Sequence, residues 1–193
     1  MDSQTKGSFG GVERKSEMEG GSGRGSKLGF MSLRVLGMVL TLTAAITLGV
    51  NKQTKVVPIK LVESLPPLYV PVVAKSHYLS AFMFFVVTNA IASAYAAISL
   101  VISIAGKKNM AIIITMLDLL MVALLFSSNG AAAAIGLMGY QGNSHVRWNK
   151  VCNVFGKFCH QVAASLVISL LGSIVFFLLV LLSALRLHSN KSL

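Results

Sequence analysis

Between Met110 and Leu137 the chain reads MAIIITMLDLLMVALLFSSNGAAAAIGL, an apolar run interrupted by one acid, Asp118. A bilayer core about 30 Å thick needs roughly 20 apolar residues of helix, and this run exceeds that length. It is expected to cross a membrane. At 1.5 Å per residue the carboxylate would lie about 10–12 Å deep, where an ionised side chain costs about 2.5–3.5 kcal/mol on the insertion scale. Asp118 therefore needs a partner or a proton.

Composition agrees with that reading. Of the 193 residues 54% are hydrophobic and 12% charged, and a soluble chain of this size cannot hide so much apolar surface. The net charge of +11 would suggest nucleic acid in a soluble protein. Here the basic residues are spread through tails and loops between apolar spans, so they read as topology signals and lipid-headgroup contacts, with no nucleic-acid partner.

The chain divides into an all-α membrane protein, a four-transmembrane-helix bundle with spans at about 30–50, 79–105, 110–137 and 162–187. Residues 1–29 are rich in glycine and charge and are expected to form a disordered cytoplasmic tail. No secretory signal is expected ahead of the first span, which would serve as its own insertion signal. Residues 51–78 hold all four prolines and are expected to be an extended outer loop; 138–161 form a second outer loop, and 188–193 a short cytoplasmic tail. The turn at Lys107 and Lys108 makes the second and third spans antiparallel neighbours. Four spans put both termini on one side, and those lysines with Arg34 and Arg186 at span ends favour the cytoplasm.

Small residues recur at helical spacing. Gly37, Thr41 and Ala45 lie every fourth position in the first span, Ala90 and Ala94 in the second, and Ser165, Ser169 and Ser173 beside Gly172 in the fourth. Such stripes let another backbone approach closely and are assigned to helix packing. Asn89 reads as an interhelical hydrogen bond worth about 0.6–1 kcal/mol rather than a ligand.

Arg34 and Asp118 are the informative pair, because the first and third spans enter the membrane from the same face. Arg34 would lie about 5 Å along its helix and Asp118 about 10–12 Å along its own, a gap that the arginine stem bridges. An ion pair is favoured over Arg34 reaching a lipid phosphate while Asp118 bonds a hydroxyl. One acid alone does not make a proton relay.

The second outer loop carries Trp148, Cys152, Phe155, Phe158, Cys159 and His160. In a straight helix the cysteines would be about 10 Å apart along the axis, beyond the Cα spacing of about 7 Å that a disulfide tolerates. A bridge needs a bend, which Gly156 permits, and it would stabilise the oxidised form by roughly 2.5 kcal/mol. An external loop allows such oxidation. Zinc held by His145, Cys152, Cys159 and His160 is the weaker reading, since the spacing fits no strong signature. Trp148, Phe155 and Phe158 form either an interfacial belt or a partner-binding surface. No nucleophile–base pair, glycine-rich phosphate loop or paired carboxylates occur, so no catalysis, cofactor or metal is expected.

These residues resemble the plant Casparian strip membrane domain protein-like family, particularly its first subfamily, which is related to four-span MARVEL proteins. The resemblance rests on LRVL around Arg34, MLDL around Asp118, SAFMFFVVTNA from Ser80 to Ala90 with Tyr95, Ser99 and Leu100 after it, and the loop from Trp148 to Cys159. It spans about Leu33 to Leu187. The resemblance implies a plasma-membrane protein with cytoplasmic termini that forms homo- and hetero-oligomers. It also implies membrane platforms that limit lateral diffusion and recruit extracellular wall-modifying enzymes. The first outer loop, VESLPPLY from Val62 to Tyr69, departs from the strip-forming members. A non-enzymatic scaffold is the leading expectation, and a channel or transporter subunit the alternative.

Overall fold

The computed structural model describes residues 10–59, 68–105, 110–142 and 150–189. Four long helices dominate: α1 (Gly10–Gly49), α2 (Ser80–Ile104), α3 (Ala111–Gln141) and α5 (Gly156–Ser189), the last preceded by a single turn, α4 (Val151–Val154). Within them Leu28–Gly49, Ser80–Ile104, Ile112–Gln141 and Gly156–Arg186 are long and apolar enough to cross a membrane. Helix is the form that satisfies every backbone amide and carbonyl without water. The chain is a multi-pass membrane protein.

The helices close a ring in which α1 packs on α2 and α5, and α3 packs on α5 and α2. One end of the bundle carries the connections between α1 and α2 and between α3 and α5, and is called the loop end below. The other, the terminal end, carries the start of the first span and the end of the last.

Three expectations are corrected here. Helix α1 starts at Gly10, inside the segment expected to be disordered, because lengthening an existing helix needs no new nucleus. The connection 51–78 is not simply extended: β1 (Lys52–Ile59) and β2 (Leu68–Lys75) form an antiparallel hairpin. Valines favour the strands, and Pro58 and Pro71 are tolerated because each strand of a two-stranded ribbon is an edge. The second connection is shorter than expected, since α3 runs to Gln141 and α5 starts at Gly156, with no proline to stop either.

The small residues of α1 and α5 face each other. A Cβ on Gly172 would sit 3.1 Å from Thr41 Cγ2, and one on Gly37 would sit 3.4 Å from both Phe176 and Val175. Gly37, Thr41, Ala45, Ser165, Ser169 and Ser173 are all buried. Ala90 and Ala94 depart from the sequence expectation, being exposed on α2. The inward stripe of α2 is Phe82, Phe85, Asn89, Ala92, Ala96 and Ser99, a three-and-four alternation whose rotation is set by the two phenylalanines. They bury far more surface than alanine and so decide which face turns in.

Two apolar clusters form the core. One, near the loop end, joins Ala44, Leu48, Phe82, Phe85, Ala132 and Val162; the other joins Ala92, Ala96, Met121, Val122, Leu125, Phe176 and Leu179.

Overpacking a close approach costs of the order of 1–3 kcal/mol. Gly172→Leu is therefore expected to lower the melting midpoint of the detergent-solubilised protein clearly. Gly130→Leu should leave it unchanged, since a Cβ there meets nothing within 4 Å; fluorescence-detected size-exclusion after heating reads both.

Candidate functional site

Lipid offers no partner to a buried polar group, so each such group must find one inside the bundle. Among the described residues, polar side chains that link different elements gather in three layers.

The layer nearest the terminal end centres on Arg34 and Asp118, which are 1% and 0% exposed. Arg34 Nη2 lies 2.7 Å from Asp118 Oδ2 and Nη1 lies 3.3 Å from Oδ1, a two-pronged pair. Nη1 also donates to Ser99 Oγ, whose hydroxyl in turn donates to the Ala96 carbonyl at 3.0 Å. Tyr95 sends its hydroxyl to Asp118 Oδ1 at 2.8 Å, with the Ile114 carbonyl at 2.9 Å. The Phe30 ring faces the Arg34 guanidinium at 5.0 Å. Arg34 Nε is buried with no acceptor among the described residues. Its hydrogen bonds tie α1, α2 and α3, and α5 meets it through ring contacts, Arg186 on Phe30 at 5.3 Å and Phe176 beside Tyr95 at 6.5 Å.

A middle layer hydrogen-bonds α5 to α2 and α3. Asn129 Nδ2 on α3 donates to Ser169 Oγ on α5 at 3.0 Å and to the Leu125 carbonyl at 2.9 Å. Ser169 Oγ passes on to Asn89 Oδ1 of α2 at 2.8 Å, and Asn89 Nδ2 returns to the Phe85 carbonyl at 2.9 Å. Ser173 Oγ lies 3.4 Å from Asn129 Nδ2 and donates to the Ser169 carbonyl. Together the two layers bond every membrane helix to another.

The third layer clamps the loop end. Asn51 Nδ2 donates to the Phe158 carbonyl at 3.1 Å, and the Phe158 amide donates to Gln53 Oε1 at 2.9 Å. That amide belongs to the first turn of α5, where no intrahelical acceptor exists. Cys152 and Cys159 are joined as a disulfide with Cα atoms 5.6 Å apart. The chain bends at Phe155 (φ −112°, ψ 53°), one residue before the glycine expected to supply the bend. Both thiols are thereby committed to each other, which removes them as zinc ligands; His145 and Trp148 lie outside the described residues.

Phe155 and Phe158 correct the sequence reading. Neither is a belt or a partner surface: they are 7% and 6% exposed and pack beside Phe82, whose ring centre is 6.2 Å from that of Phe158. The bend turns both inward, over the space that Ala44 and Ala132 leave in that cluster.

Sequence reasoning left Asn129, Asn51 and Gln53 unassigned. Asn129 carried a usable signal, an amide within an apolar span, whereas Asn51 and Gln53 sit in an ordinary polar connection. A cavity of about 610 Å³ opens between α1 and α5 at the terminal end, lined by Phe30, Ser32, Leu33, Leu182, Leu185 and Arg186. It borders the first layer through Phe30.

Residues 23–175 match the family model described as Casparian strip membrane protein domain. The chain is 68% identical to CASP-like protein 1E1 of Ricinus communis, over the full length of both. It is 61% identical to CASP-like protein 1E1 of Populus trichocarpa, covering 99% of this chain and all of that one. It is 54% identical to CASP-like protein 1E1 of Arabidopsis thaliana, covering 97% of this chain and all of that one. No solved structure matches it.

Removing one member of a buried ion pair leaves the other charge uncompensated, at a cost of about 3–5 kcal/mol, while replacing both by apolar groups is often neutral. Arg34→Met and Asp118→Leu are each expected to reduce folded protein severely, and the double variant to recover most of it. Surface delivery and the melting midpoint measure this; equal loss in all three would mean that the charges act separately.

Proposed function

The chain belongs to the plant Casparian strip membrane protein domain family, and on that premise we propose that it is a non-enzymatic scaffold of the plasma membrane. In this reading it assembles with itself and with related chains, with both termini cytoplasmic. It organises a membrane subdomain and recruits wall-modifying proteins on the outer side. Its partners are membrane lipid, other family members and those proteins, with no nucleic acid.

The supporting observation is the alternation of polar and apolar layers. Between Asp118 and Asn129 the interior is filled by Met121, Val122, Leu125, Ala92, Ala96 and Phe176. Between Asn129 and the loop end it is filled by Ala132, Phe85, Phe82 and Val162. A conduit needs polar groups facing one another through the full depth, and here each polar cluster is closed off by a packed layer and bonded to itself. Such a bundle suits a rigid module better than a channel or transporter subunit.

Assembly then falls to the outward faces, because Gly37, Thr41 and Gly172 are already occupied within the chain. Small residues remain exposed at Ala90 and Ala94 on α2 and at Ala123, Ser127 and Gly130 on α3. In lipid, where apolar surface gains nothing by association, close approach at small residues is the main attraction.

Two measurements test this reading. Single-molecule photobleaching of the tagged protein in plasma membrane should show multiple copies per spot. Gly130→Leu combined with Ala94→Leu should shift the distribution toward single copies at unchanged surface level; a purely monomeric native protein ends the scaffold reading. A membrane-impermeant thiol reagent on intact cells should label the native protein only after reduction. Absence of labelling even then would place the disulfide end in the cytoplasm.

A further inference from the structure

The loop end is strongly basic, against two physical costs. Residues 51–78 and 138–161 hold seven Lys or Arg and a single acid, Glu63. Short loops rich in Lys and Arg resist translocation, so a chain with its termini inside inserts against this charge. The second cost is local. Lys52 and Lys75 are paired residues in the hairpin register, and like charges directly opposite each other destabilise a strand pair.

These connections carry more positive charge than the chain's own acids can neutralise. Lys52, Lys55, Lys75, Lys150 and Lys157 are all exposed. The bond between Gln53 and the Phe158 amide sets the start of α5, which carries Lys157, against β1. Of the six acids, Asp2, Glu13, Glu17 and Glu19 precede the first span and Asp118 is buried against Arg34. The anion must therefore come from elsewhere.

We propose that this end of the molecule binds an extended carboxylate polyanion, a uronate polysaccharide, across the hairpin and the start of α5. The proposal rests on the outward orientation given under the proposed function. Lysine favours this class, because its ammonium is a hydrated point charge, whereas discrete recognition of a carboxylate uses the planar fork of arginine. Six of the seven Lys or Arg in these two connections are lysine, Arg147 being the exception. Tyr78 favours a sugar over an acidic peptide. Its ring is 68% exposed and has the Lys75 ammonium 5.8 Å from its centre, so an aromatic face for a sugar ring and a cation for its carboxylate stand side by side. A bound polyanion would relieve the repulsion between Lys52 and Lys75 that the free hairpin bears.

The test uses the full chain in phosphatidylcholine nanodiscs, with fluorescent polygalacturonate as the probe, dextran as the neutral chain and polyglutamate as the acidic peptide. Polygalacturonate should bind, should weaken steeply from about 0.05 to about 0.3 M salt as screening grows, and should outcompete both other polymers. The combined variant Lys52→Gln, Lys55→Gln, Lys75→Gln should lose affinity about tenfold or more with its melting midpoint retained. Tyr78→Ala should lower affinity for polygalacturonate while leaving that for polyglutamate unchanged. Absence of binding, equal binding by the lysine variant, equal binding of dextran, or polyglutamate binding as tightly as polygalacturonate would each overturn the proposal, the last in favour of an acidic protein. Both faces of a nanodisc are open, so this result is independent of orientation. Polysaccharide binding with the disulfide end found in the cytoplasm would refute the orientation and leave the surface chemistry standing.

Discussion

Two opposite charges buried in a membrane interior cannot be left apart, and the arrangement of this bundle follows from bringing Arg34 and Asp118 together. Each ion alone would cost several kcal/mol to desolvate, and their attraction offsets this only when the remaining donors and acceptors are also met. Ser99 and Tyr95 meet most of them from α2, which is why α1, α2 and α3 must sit with fixed rotation and depth. The pair acts as a register device: slide α1 or α3 by a turn and a charge faces hydrocarbon, slide α2 and the pair loses its hydroxyl partners.

The fourth membrane helix is held by different means. It meets the ionic layer through ring contacts, Arg186 on Phe30 and Phe176 beside Tyr95, and it joins the bundle through Asn129, Ser169 and Asn89 at mid-depth and through the close approach of Gly172 to Thr41. Interhelical hydrogen bonds between neutral groups in membranes average about 0.6 kcal/mol, so α5 depends more on shape than α1 does. The same helix starts at the disulfide turn, where Asn51 and Gln53 tether its first residues to the hairpin. Its loop end is thus covalently and polar-bonded, and its middle is close-packed.

These two modes of support separate a rigid interior from a chemically distinct end. The interior has its polar groups largely satisfied and its aromatic groups buried. The loop end exposes lysines and Tyr78, and Phe155 and Phe158 serve as its foundation rather than its surface. A module of that kind can be held in a membrane through its helix faces while its loop end meets other molecules, which is the physical sense of the scaffold reading.

Length, apolarity and depth are properties of a segment alone, and these the sequence by itself determined. Four apolar runs require four spans, and counting residues from the membrane edge puts Arg34 and Asp118 within reach of each other. Rotation about a helix axis is not such a property. Whether Ala90 and Ala94 or Ala92 and Ala96 faced inward depended on Phe82 and Phe85 finding Phe158 and their other neighbours, and so only the tertiary structure decided it. The same holds for Asn129, whose role needed Ser169 opposite it, for the turn of Phe155 and Phe158 into the core, and for Lys52 facing Lys75, which needed the pairing of two strands that each hold a proline. Those outcomes are set by the neighbour a residue meets, and a neighbour distant in the chain has no signature in the local sequence.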